Sequence, residues 1–427
     1  MVSIKNRTWS LFEKIGFRLV FIYFILIILF QNNGAFPFWD WLFAYPTKWI
    51  EQFIPWLGSN IYGIEEEVTV KVTGSGDTMF DNLIALTSLI VALIGTMIWS
   101  FIDRKRNDYD TLYYWLTTGI RYYVGLMLIS YGMVKVIQLQ FSYPGFYRLI
   151  EPYGESSPMG LAWTFLGFSK GYNIFMGVAE LLAGLLLFRR TMTFGALITL
   201  MTAMNVMAVN YFYDVPVKLL STHLVLMTLF LLSKDIKRVA LFFFTKVSTT
   251  IEVIKRPKFK RGLRIAINSF KALLIAYVFV YGFIETLESQ KKYGSKAPKP
   301  ELYGMYKITD FVINGDTITN YKNKKLWKSI SVQWEGSMQV RNFEGDTPVY
   351  FGVEKDSLVD RRLKLTRWGK EPVSFDFNYK KLDSTGLEFN FVFQGDTIQG
   401  LSKRLGIKDF RLTSRGFHWI SEYPYNR

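Results

Sequence analysis

Arg121, Lys135 and Glu180 stand inside stretches otherwise made of apolar residues, glycine and tyrosine. At 100° per residue, Arg121, Gly125, Leu128, Gly132 and Lys135 fall on one helical stripe, spaced by four and three. Asn173, Gly177, Glu180 and Gly184 form a second such stripe. Glycines beside charges let another helix approach closely, so the charges are expected to face protein. Arg121 lies nine residues after Leu112 and Glu180 nine before Arg189, which at 1.5 Å per residue puts both about 13 Å into their helices. That matched depth predicts an ion pair between Arg121 and Glu180. Alone in hydrocarbon each charge costs about 2.5–3.5 kcal/mol, and pairing recovers much of it. Lys135 is placed near the opposite end, where it either snorkels to the interface or meets Asn205 and His223.

Three kinds of chemistry fit this constellation. It can be a structural lock that fixes helix register, a pocket for a ligand such as a quinone headgroup, or a proton path. In the last case Glu180 and His223 carry the proton, because an arginine titrates too high. The rest of the inventory excludes more than it offers. Absence of cysteine rules out thiol nucleophiles, disulfides, iron–sulfur clusters and thiolate zinc. Two isolated histidines, His223 and His418, cannot supply both a bis-histidine haem and a copper site. There is no P-loop, dinucleotide-binding glycine fingerprint or G-x-S-x-G elbow. The expectation is therefore no metal site and no covalently bound cofactor, with a quinone or lipid as the possible ligand and any redox metal on a partner. His418, among Phe417, Trp419 and Tyr423, is expected to close one end of the C-terminal domain.

These groups need apolar helices to hold them. Half of the 427 residues are hydrophobic and 17% are aromatic, with long uncharged runs, which indicates a membrane protein. Seven spans are expected at 17–30, 83–102, 112–139, 163–188, 191–212, 217–232 and 266–285. Cations cluster in alternate connections: Lys5 to Arg18, Arg104 to Arg106, Arg189 with Arg190, and Lys234 to Arg264. By the positive-inside rule the N-terminus is cytoplasmic and, with an odd number of spans, the C-terminus lies outside. No small-x-small cleavage site follows the first span, so residues 1–30 are read as a cytoplasmic N-terminus and signal anchor. The net charge of +16 sits mostly where topology demands it, and nucleic acid is not expected as a partner. Residues 235–265 form a basic cytoplasmic loop suited to anionic lipid.

Two pieces lie outside the spans. Residues 31–82 open with an aromatic stretch whose Trp39, Trp41, Trp49 and Trp56 suit the membrane interface. Val68, Val70 and Val72 then alternate with polar residues as in a short strand. Residues 288–427 alternate throughout, as in Val373, Phe375, Phe377 and Tyr379, then Leu387, Phe389, Phe391 and Phe393. Strand-like runs separated by Asn-Gly-Asp, Glu-Gly-Asp and Gln-Gly-Asp turns predict an antiparallel meander of about eight strands, a barrel or a sandwich. Its aromatic inner face fits a filled core or a ligand cavity. Gly-Asp-Thr at Gly76, Gly315, Gly345 and Gly395 is read as turn chemistry.

Residues 112–234, with Arg121, Gly132 and Lys135 on one helix and Glu180 before a Gly-Leu-rich run on another, resemble the DoxX family of four-helix membrane proteins. The whole layout is similar to long bacterial forms carrying extra spans and a periplasmic β domain. The resemblance implies a DoxX-like four-helix bundle within the seven helices, and some relatives belong to quinone-linked oxidoreductase systems such as the thiosulfate:quinone enzyme. The expected role is an accessory or scaffolding subunit contacting a quinone, lipid or redox partner. Alternatives are a quinone-linked oxidoreductase using Arg121, Glu180 and His223, or an envelope binding protein whose β domain holds a lipid or protein.

Overall fold

The structure, a computed structural model, describes residues 9–426 except 71–72, 246, 251–253, 255, 319–325, 343–346, 370–371 and 384. In chain order the helices are α1 (Leu11–Phe30), α2 (Trp39–Leu42), α3 (Ala44–Asn60), α4 (Met79–Ile102), α5 (Asp110–Val136), α6 (Phe146–Leu149), α7 (Pro158–Phe168), α8 (Lys170–Leu181), α9 (Met192–Phe212), α10 (Lys218–Ser233), α11 (Ile236–Phe244) and α12 (Arg261–Tyr293). Strands β1 (Gly304–Ile313), β2 (Asp316–Thr317), β3 (Trp327–Val332), β4 (Ser337–Asn342), β5 (Val349–Lys355), β6 (Arg362–Arg367), β7 (Val373–Leu382), β8 (Gly386–Phe393) and β9 (Asp396–Leu405) follow, with a last turn α13 (Arg411–Ser414). The chain divides into a helical unit, residues 1–141 with 169–290, and a second unit, residues 142–168 with 291–427.

In the helical unit α5 is the axis. Tyr113, Ile120, Tyr123, Val124 and Met127 are buried in one core with side chains of α1, α9 and α10, and α8 packs along α5. A Thr78/Asp81 capping box starts α4. The carboxylate of Asp77 accepts from the backbone N–H of Lys218 and of Leu219, both at 2.8 Å, and so caps α10. The Gly-Asp-Thr at Gly76 is thus a capping device between distant segments. After α8 the chain tightens into a 3-10 turn, Leu182–Leu187.

Among the described residues, α4, Lys170–Leu187, α9 and α12 are long and apolar enough to cross a membrane. A fifth is reached if α10 and α11, which meet at a 76° bend, are one span. The other two expected spans are helical but fall short of that test: α1 carries Glu13, Lys14 and Arg18, and α5 holds Arg121 and Lys135. The expected span 163–188 is corrected. The helix breaks at Ser169, whose hydroxyl accepts from Tyr172 N–H to start α8, and Trp163 belongs to α7 in the other unit. No strand forms at 68–70, and Lys71 and Val72 lie outside the described residues. Val68 instead packs with Ile54 and Leu83. The aromatic stretch is helical, and α3 exposes Trp49 and Trp56.

The second unit contains an eight-stranded antiparallel barrel. Neighbours pair in sequence from β3 to β9, and β1 pairs with both β3 and β9, which closes the sheet. The tiny β2 adds only to β1. Two predicted turns are two-residue hairpins, Asn314-Gly315 and Gln394-Gly395, with positive φ at every position (51° and 92°; 53° and 87°) as a type I′ turn needs. The predicted turn at Glu344, and with it the Gly345 motif, lies outside the described residues.

Side chains fill the barrel. Trp327 stacks on Phe391 at 4.6 Å, Phe391 on Phe375 at 5.0 Å and Phe377 on Phe389 at 5.4 Å between centroids. Eight strands leave room for about this much. A cavity of ≈ 170 Å³ remains beside Trp327, Phe351, Phe391 and Asn342. The excursion 142–168 is tied to the barrel by Arg341, whose guanidinium lies 3.0 Å from Glu155. His418 does not close this domain: it is exposed, as is Trp419 at 88%, and its ring contacts the carbonyl of Gly416.

Candidate functional site

The site is built where α5 crosses α8. A Cβ placed on Gly132 would stand 2.7 Å from the carbonyl oxygen of Gly177, and one on Gly177 would stand 2.7 Å from that of Gly132. The two backbones touch there because neither residue has a side chain. Gly125 lies against Leu187, 2.9 Å from its side chain by the same construction, whereas Gly184 meets Ile129 only at an ordinary 3.6 Å.

Three residues beyond each touching glycine stand the charges. Lys135 Nζ lies 2.7 Å from Glu180 Oε2, and both side chains are buried. The rings of Tyr131 and Phe141 flank the ammonium at 5.5 and 5.6 Å, within reach of a cation–π attraction. Desolvation disfavours both ions, and their mutual proximity compensates each with the other. Nearby, Asn173 Nδ2 donates to the carbonyl of Phe141 at 2.8 Å, while its Oδ1 is buried without a hydrogen-bond partner. Gln140 Oε1 is buried and unpartnered too.

The expected pairing of Arg121 with Glu180 is therefore wrong. Arg121 Nε donates to the carbonyl of Leu186 at 2.5 Å and Nη2 to that of Leu187 at 2.7 Å, capping the end of the 3-10 turn. The reason is register. With α5 and α8 antiparallel and residue 132 facing 177, residue 121 faces the end of the Leu182–Leu187 turn, eleven residues, or roughly 16 Å, away from the crossing. Counting depth from loop boundaries missed this, since the helix carrying Glu180 begins later than expected and tightens after Leu181.

Lys135 meets neither Asn205 nor His223. Asn205 is exposed on α9. His223 is buried on α10, its Nε2 2.8 Å from Tyr23 Oη and its Nδ1 2.7 Å from the carbonyl of its own helix at Leu219. The structure thus brings Lys135, Glu180, Gly132 and Gly177 together, gives Arg121 with Gly125 a place on the same seam, and leaves Asn205 and His223 elsewhere.

A second charged centre was not anticipated. Arg18, buried on α1, donates to Tyr109 Oη at 2.8 Å, Ser100 Oγ at 2.7 Å and the carbonyl of Asp103 at 3.0 Å; Tyr109 in turn donates to Asp103 Oδ2 at 3.0 Å. The signal was present, since Arg18 follows Phe17 inside the apolar run and is not in a loop. Asp235 is likewise buried, accepting from Thr193 Oγ1 at 2.7 Å. Among the described residues no three His, Asp or Glu side chains converge as metal ligands.

No protein-family model matches the chain. No solved structure matches it either. Among curated proteins it is similar to the uncharacterised protein YwoB of Bacillus subtilis (strain 168), 34% identical over 140 residues, which is 32% of this chain and 87% of that protein.

Proposed function

This chain belongs to the family of Bacillus subtilis YwoB, and on that footing we propose that it is a multi-pass protein of a bacterial inner membrane that scaffolds other components. In this reading the helices make up to seven spans, the bundle is of DoxX type, the N-terminus is cytoplasmic and the barrel is periplasmic. Its partners are membrane lipid and a redox or envelope protein. The observation that supports it best is the closed Lys135–Glu180 pair beside touching glycines. Two buried ions satisfied by each other suit a lock that fixes register better than a proton path. A tagged chain purified in mild detergent should carry a haem or flavin subunit, or another envelope protein. A pure chain that turns over a substrate unaided refutes the scaffold.

Direct use of a quinone is the second reading, and one observation favours it. The buried oxygens of Asn173 and Gln140 are unpartnered acceptors, Asn173 being held to the carbonyl of Phe141, whose ring lies 5.6 Å from Lys135 Nζ, and a quinol hydroxyl is a donor of the right kind. Glu180→Gln in a quinone-reduction assay separates the two, because an unchanged rate removes the enzymatic reading. For the barrel, a cavity of ≈ 170 Å³ is small beside the roughly 300–1,000 Å³ of ordinary ligand pockets, which favours a protein partner over an enclosed lipid.

A further inference from the structure

One end of α5 collects positive charge that the described residues do not neutralise. Arg189, just past the 3-10 turn, donates from Nη2 to Thr118 Oγ1 at 2.6 Å and to the carbonyl of Tyr114 at 3.1 Å, with its guanidinium carbon 3.7 Å above the Tyr114 ring. Lys271 of α12 places its ammonium 5.7 Å from the Tyr122 ring centre. Arg256 donates to Asn268 Oδ1 at 3.2 Å. Arg121 lies behind them, buried. These four cations act on one another: the charges of Arg121, Arg189 and Arg256 all bear on Lys271, Arg189 bears on Arg121, and Arg256 bears on Arg189. Among the described residues, the acidic groups that bear on Arg121 and Arg189 are tyrosine phenols, which are neutral at pH 7.

A second observation points to a missing acceptor. Arg189 Nη1 is buried and has no hydrogen-bond partner, although its other terminal nitrogen is fully used. An orphaned guanidinium donor among like charges is costly unless an anion completes it. Aromatic rings lie against the cations, Tyr114 under Arg189 and Tyr122 under Lys271. Basic pockets between membrane helices on the cytoplasmic side commonly hold phosphate headgroups.

We propose that Arg189, Arg256 and Lys271, backed by Arg121, form a binding site for a phosphate anion, carried either by an anionic lipid headgroup or by a soluble phosphate. The lipid form rests on the membrane-spanning reading given above, whereas the soluble form does not. The full chain is purified in nonionic detergent and titrated with phosphatidylglycerol in mixed micelles, with phosphatidylcholine and with inorganic phosphate, binding being read by native mass spectrometry and thermal shift. Lys271→Gln and Arg256→Gln each remove one cation without touching the buried arginines, and Lys237→Gln on α11 removes the same charge elsewhere.

Phosphatidylglycerol should bind in preference to phosphatidylcholine, and each site variant should weaken it about fivefold while the Lys237 variant stays within about twofold. Binding of inorganic phosphate with the same dependence on the site variants, and no lipid preference, assigns the site to a soluble phosphate. Equal weakening by all three variants, or no anion binding by a folded chain, overturns the proposal. Carbonate extraction of cell membranes separates this failure from that of the membrane reading. A chain released by carbonate contradicts the spans, and a retained chain without anion binding contradicts the site alone.

Discussion

Lys135 and Glu180, on helices that touch at Gly132 and Gly177, hold each other at 2.7 Å in a buried setting. The glycines bring the backbones together and the charges then find partners only in that register. Sliding α8 by one turn would separate the ions by about 5 Å and drive side chains into the facing backbone. Specificity of packing and compensation of charge are therefore the same geometric event.

Valine at Gly132 or Gly177 should destabilise the helical unit by about 1–3 kcal/mol or more, since its Cβ would start 2.7 Å from the opposite carbonyl oxygen. Alanine at Gly184 should be nearly silent, because its nearest contact is 3.6 Å. Thermal unfolding of the three variants in one detergent checks the order.

Asp77→Ala should cost about 0.5–2 kcal/mol, the usual loss when a helix N-terminus forfeits its cap. Two backbone donors, those of Lys218 and Leu219, lose their acceptor at once. Faster hydrogen exchange confined to the first turn of α10 is the expected signature.

Alkaline pH should weaken the barrel. Burial pushes the Tyr379 phenol up to about 12 from its ordinary 10, and Tyr303 and Tyr306 shift in the same direction for the same reason. A raised acid binds its proton more tightly when folded, so this contribution is complete below pH 10 and is lost as pH climbs toward 12. The slope from Tyr379 is at most about 1.4 kcal/mol per pH unit. Tryptophan-monitored denaturation of the full chain between pH 9 and 11.5 should show it, and Tyr379→Phe should flatten the curve.

Much of the barrel was legible because alternation survives in the sequence: Phe375, Phe377, Leu387, Phe389 and Phe391 all face the core as their spacing required. Its closure was not, since β1 pairs with β9 across roughly ninety residues and no local pattern encodes that. In the helical unit the stripes carrying Lys135 and Glu180 were visible, but the register between them was not. Depth counted from loop ends put Arg121 beside Glu180, whereas aligning Gly132 on Gly177 puts it at the end of the 3-10 turn. Ser169 hid the break that shifted the count, because a single serine within an apolar run carries little weight as a cap signal. The exposed tail around His418 shows the opposite error, in which aromatic content was taken for burial.

A double-mutant cycle on the ion pair tests the lock most directly. Lys135→Met and Glu180→Leu are made singly and together in the full chain, and unfolding is measured in lipid nanodiscs. Each single variant should lose about 3–5 kcal/mol by stranding a buried charge, and the double variant should recover most of that loss. Additive losses, with the double variant as unstable as the two singles combined, would contradict the account.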